Sequence, residues 1–170
     1  MTSSADSAQG SFTVHFDTPL APEDALRRIL DLRQHDRIIP FTRLTPTMAA
    51  DQLRPGTEFV ARTGIGPVGF NDVMRVERIN LGDDQSEAGA LISKHGRVIH
   101  GTIQVTITPG TAGSHISWHQ SVHLPWLPGF VHAPAVRIMR LGYRRVLSQL
   151  LAAPGGLEAY GRVREGGALP

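Results

Sequence analysis

The chain has 170 residues, 41% of them hydrophobic, with a formal net charge of +2. That is enough chain for one domain with a real core, and too little charge to specify nucleic acid as a partner. The absence of Cys excludes disulfide and thiol chemistry and fits the cytoplasm, and no apolar run approaches the ~18 residues of a membrane span.

Residues 1–10 are small, polar and without periodicity. They lack the apolar segment of a signal peptide and read as a disordered tail. Phe12, Val14 and Phe16 then alternate with Thr13, His15 and Asp17, the pattern of a first strand. Pro22, Glu23 and Asp24 open a helix that runs to Leu32, with its acids in the turn where the helix dipole favours them. A short second helix follows at residues 33–40, and an edge strand at residues 41–48, where Pro46 forbids a central position.

Thr57, Phe59 and Ala61 alternate with polar neighbours, and so do Phe70, Asp72, Met74 and Val76. Between them, residues 64–69 spell G-x-G-x-x-G, the pattern of a dinucleotide-binding turn. No helix follows it, so it is read as a hairpin loop that pairs Ala61 with Asp72 and Phe59 with Met74, and no cofactor is expected. A tight His95-Gly96 turn would set Ile92 opposite Ile99 and Ala90 opposite Gly101, with Lys94 beside the turn. In the last hairpin, pairing Thr108 with His115 places Val105 opposite Trp118, Ile103 opposite Gln120 and His100 opposite His123.

Residues 130–153 close the pattern. Val136, Met139, Tyr143, Val146, Leu147 and Leu150 recur at steps of three and four and share one helix face. Arg137, Arg140 and Arg144 fall opposite, Pro134 sits near the start, and Pro154-Gly155-Gly156 stops the helix. A helix so amphipathic, in a chain otherwise rich in strands, must lie on a sheet.

This order, with pieces such as Phe70 to Val76 and Ser114 to Leu124 ahead of the long helix, resembles the helix-grip fold of the START-like (SRPBCC) superfamily. That superfamily includes birch-pollen-allergen-like proteins and the bacterial polyketide cyclase/dehydrase group of secondary metabolism. The resemblance covers residues 11–153 and leaves 154–170 as a tail. It implies a curved antiparallel sheet of about seven strands around the last helix, enclosing a cavity for a hydrophobic small molecule. It carries no universal catalytic motif.

Within that frame Asp72 is the first candidate for chemistry. It shares a strand face with Phe70 and Met74, and burial there would suit a general acid or base; the plainer alternative is a solvated carboxylate or an ion pair with Arg62. Phe59, Phe70, Met74, Trp118, Gln120, Met139 and Tyr143 are the expected substrate-binding residues. Gln120 stands alone as a polar side chain on an apolar face and needs a partner. Trp118 and Met139 would serve equally as plain core. His115, His119 and His123 share a face at intervals of about 13 Å, too far apart for one ion, so no metal is expected. If the face assignment is inverted, His119 replaces Asp72 as the catalytic group. The Arg stripe reads as a solvated face, or more sharply as one for an anionic partner. The loop at residues 124–130, LPWLPGF, is apolar enough to be a lid, a homodimer contact or a cap on the core.

The sequence thus suggests a pocket protein that promotes cyclisation or dehydration of a polyketide- or lipid-like molecule. The alternatives are a non-catalytic carrier of a lipid-like ligand and an interaction protein using the 124–130 loop.

Overall fold

A computed structural model describes residues 9–65, 67–82, 86–126 and 128–152. Seven strands form one antiparallel sheet: β1 (Gln9–Thr18), β2 (Thr42–Thr45), β3 (Glu58–Ile65), β4 (Val68–Asn80), β5 (Ala88–His95), β6 (His100–Gly110) and β7 (Gly113–His123). Their spatial order is β1-β7-β6-β5-β4-β3-β2. Consecutive strands from β2 to β7 are neighbours, and β1 closes on β7. Helices α1 (Pro22–Leu30) and α2 (Leu32–Ile38) connect the two sheet edges, and α3 (Gly129–Ala152) lies against the concave face.

Alternation decides which face is inside. Phe12, Phe59, Met74, Ile92, Ile103 and Trp118 point inward and are buried, with α1 supplying Ala25, Leu26 and Ile29. Leu147 and Leu150 seat the end of α3, whereas Val136, Met139, Tyr143 and Val146 are only half-buried. That difference marks where the helix stands off the sheet.

The two hairpin registers argued from sequence hold. Ala61 pairs with Asp72 and Phe59 with Met74, and His100 pairs with His123 through to Thr108 with His115. Pairing in the first of these runs on to Ile65 and Val68, so the turn is tighter than residues 64–69. The β5–β6 register is a correction. Ile92 faces Ile103 and Ala90 faces Val105, because residues 96–99 form a longer connection than a two-residue turn. The four-residue slip is even, so every side chain stays on its expected face.

Three boundaries also differ. β1 starts at Gln9, so residues 9 and 10 belong to the domain rather than to the tail. β2 covers only Thr42–Thr45 of the longer strand expected. Pro134 is the sixth residue of α3, past the first turn, and leaves the Phe130 carbonyl without an amide donor. Phe130 is 86% exposed, so water can take that role. Residues 154–170 lie outside the described residues.

Candidate functional site

Where α3 stands off the sheet, a cavity of about 600 Å³ opens. Phe59, Phe70, Asp72, Met74 and Trp118 line it from the sheet, and Met139 and Tyr143 from the helix; Ile29, His35 and Ile38 close the side below α1 and α2. Its walls are mainly apolar. The exposed residues among the lining are Pro40, Ile138, Gly142, Arg145 and Gln149, so the mouth lies between the start of β2 and the middle of α3. Gly142 leaves this mouth wide, since a Cβ built there would meet nothing within 4 Å.

The polar centre of the wall is an ion pair. Asp72 Oδ2 accepts a short hydrogen bond from the Lys94 ammonium, and both residues are buried. The pairing follows from register. Lys94 lies directly across from Met74, two positions along β4 from Asp72, a diagonal within reach of a long side chain. Lys94 Nζ also touches Met74 Sδ at 3.7 Å. Burial pushes the lysine pKa down, but Tyr143 and Asp72 outweigh it and hold the ammonium above its ordinary value. Lys94 is therefore charged at neutral pH and stands behind Asp72, which faces the cavity. Asp72 Oδ1 is buried and has no hydrogen-bond partner among the described residues.

Beside this pair the Tyr143 ring packs on Phe12 and Trp118, with centroids 5.8 and 5.4 Å away. Gln120 belongs to the same face but does not line the cavity. It is fully buried between its cross-strand neighbours Phe12 and Ile103. Its Oε1 accepts the Trp118 indole N–H at 3.3 Å, and its amide nitrogen has no partner among the described residues. Gln120 thus holds the Trp118 indole and lies outside the cavity lining, a correction to its expected placement.

His119 is a second correction. It points to the outer face of β7, where its Nδ1 meets Thr13 Oγ1 at 2.9 Å. Asp72 and His119 lie on opposite faces, so the inverted assignment fails. We expect His119→Ala to leave ligand affinity unchanged and stability within ~0.5 kcal/mol, as dye binding and urea unfolding would show. Arg62 likewise faces outward and does not pair with Asp72. Among the described residues no cluster of three metal-ligating side chains occurs. Among the described residues of the 124–130 loop none lines the cavity; Leu124 is buried, Trp126 is 61% exposed and donates its N–H to the Val98 carbonyl at 3.0 Å.

Two groups at the site escaped the sequence reading: Lys94, behind the cavity wall, and His35, in it. Lys94 was legible, because Ala88, Ala90, Ile92 and Lys94 alternate on one face of β5 and it is the chain's sole lysine. His35 had no such signal. Its Nε2–H donates to the Ile29 carbonyl at 2.8 Å, leaving Nδ1 as the acceptor, and burial pushes its pKa down, so the ring is neutral.

No family model and no curated protein matches the sequence. Solved structures do match in shape. A hypothetical protein from Helicobacter pylori aligns with a TM-score of 0.62 at 12% identity, over 88% of this chain and 89% of its own. Ara h 8.0201 aligns at 0.58 and 13% identity, over 85% and 99%. A norcoclaurine synthase point mutant from Thalictrum, in complex with a transition-state analogue, aligns at 0.54 and 11%, over 84% and 94%. Seven antiparallel strands curved around a C-terminal helix, shared with these proteins along nearly their whole length, give this chain a helix-grip fold.

Proposed function

We propose that the protein binds a hydrophobic, polyketide- or lipid-like small molecule in this cavity and promotes its cyclisation or loss of water by acid/base catalysis. The observation that supports this reading is a buried carboxylate in the wall of an apolar chamber, with an ammonium on one oxygen and no partner among the described residues on the other. Such a group can take a proton from the carbon next to a carbonyl. The electron pair moves into the enolate, whose oxygen accepts a hydrogen bond from the Tyr143 hydroxyl. For dehydration, the enolate expels a β-hydroxyl, which leaves as water with the proton from Asp72. For cyclisation, the enolate carbon attacks a second carbonyl of the same chain, and that oxygen receives the proton. Lys94 is a positioning residue: it offsets the carboxylate charge and holds Oδ2.

A carrier without catalysis is the second reading, favoured by the fact that Lys94 and Asp72 already satisfy one another. Both readings require occupancy through the mouth at Gly142. Mass spectrometry of molecules extracted from the purified protein should find a stoichiometric apolar compound. Gly142→Phe should lose that compound while keeping stability, because Phe is better than Gly inside a helix by about 0.5 kcal/mol. A wild-type protein that carries nothing, and takes up no apolar dye that Gly142→Phe excludes, would count against both.

A further inference from the structure

Next to the cavity mouth lies a second concavity of about 590 Å³, which shares Ile39, Pro40 and Thr42 with the first. Its polar lining is basic: Arg37 from α2, Arg43 from β2 and Arg62 from β3. Arg43 and Arg62 are direct cross-strand partners. Like charges set opposite each other repel and destabilise a strand pair, so this arrangement costs stability unless an anion sits between them. No acid relieves it, for none of these three guanidinium groups makes an ion pair or hydrogen bond among the described residues. Asp36 also lines the concavity, but its Oδ1 accepts the Leu44 amide at 2.6 Å, and three positive charges against one negative leave the site cationic. Phe41, between the two chambers, is a non-glycine residue held at φ 59° and is 67% exposed. An exposed aromatic held in a left-handed conformation, between an apolar chamber and a cationic one, is more than a chain connection needs.

We infer that the ligand is an anionic amphiphile, with its hydrocarbon body in the main cavity and a carboxylate or phosphate head on Arg37, Arg43 and Arg62. This rests on the ligand-binding reading above and adds the head group to it. The two concavities share Ile39, Pro40 and Thr42; Arg43 and Arg62 lie on the outer face of β2 and β3, so the ligand would leave the main cavity at its mouth and bend round the β2 edge to reach them. Arginine suits the role because its planar fork grips a carboxylate or phosphate through two parallel hydrogen bonds.

Displacement of an apolar fluorescent dye by dodecanoate, dodecyl phosphate and dodecanol, each below its micelle concentration, tests the inference. The two anions should bind at least about tenfold more tightly than the alcohol, the effect of one charge-assisted contact of ordinary strength. The ranking of carboxylate against phosphate tells which head the site takes. R43A/R62A should abolish the preference and leave dodecanol affinity unchanged, so the alcohol also reports that the variant is folded. Equal binding of all three by the wild type, or a preference that survives in R43A/R62A, would overturn the anionic head and leave the apolar cavity reading standing. If none of the three displaces the dye, both readings fall.

Discussion

Lys94→Met should cost about 3–5 kcal/mol in urea unfolding, because it strands the Asp72 carboxylate without a cation in the interior. Methionine fills nearly the volume of the lysine stem, so a cavity contributes little to that loss. The double variant Lys94→Met/Asp72→Leu should recover most of it, since replacing both partners of a buried pair with apolar groups is often neutral or better. The lysine pKa is raised in the folded protein despite burial, so the sign of the pH effect follows. The pair's contribution is fully present below the ordinary lysine value of 10.5, and is lost as pH climbs through the higher folded-state value. Wild-type stability should therefore fall in strong alkali with a component that the double variant lacks. If Lys94→Met unfolds at the wild-type midpoint, the pair is not buried as described.

The fold was legible because its determinants are local and periodic. Strict alternation in β7 and in the Phe70 to Val76 stretch of β4 assigned faces, and a face once assigned survives an even slip, as at β5–β6. Lys94 shows where such reasoning gives way. Alternation put it inward with Ile92, but a charged residue near a Gly turn invites a solvent-exposed reading, and only the register across β4 reveals Asp72 as its partner. Gln120 and Trp118 share a face, yet one is covered and the other lines the cavity. That depends on how far α3 stands from the sheet, which no periodicity encodes. His35 lies on a short helix whose packing is set by contacts distant in sequence, so nothing near it announced a cavity wall. The Arg43–Arg62 pair emerged only once β2 was placed on β3.

Asp72→Asn separates catalysis from carriage at the same site. Asparagine keeps the shape of aspartate, and its oxygen can still accept from the Lys94 ammonium, so the apolar contacts that dominate ligand affinity should survive. What changes is the other atom: in place of the unpartnered Oδ1, the amide presents an N–H group that cannot take a proton. If Asp72 is the general base, turnover of the extracted ligand or its precursor should fall by about 100-fold or more, with KM within a few-fold of wild type. A protein made only to carry its ligand would show altered affinity at most. His35→Gln runs beside it as the competing base, because the neutral His35 ring also faces the cavity with a free Nδ1. Turnover that withstands Asp72→Asn but collapses in His35→Gln would move the proton transfer to the α2 wall and leave Asp72 and Lys94 as a structural pair. Loss in Asp72→Asn alone, with ligand still bound, would assign the proton to Oδ1.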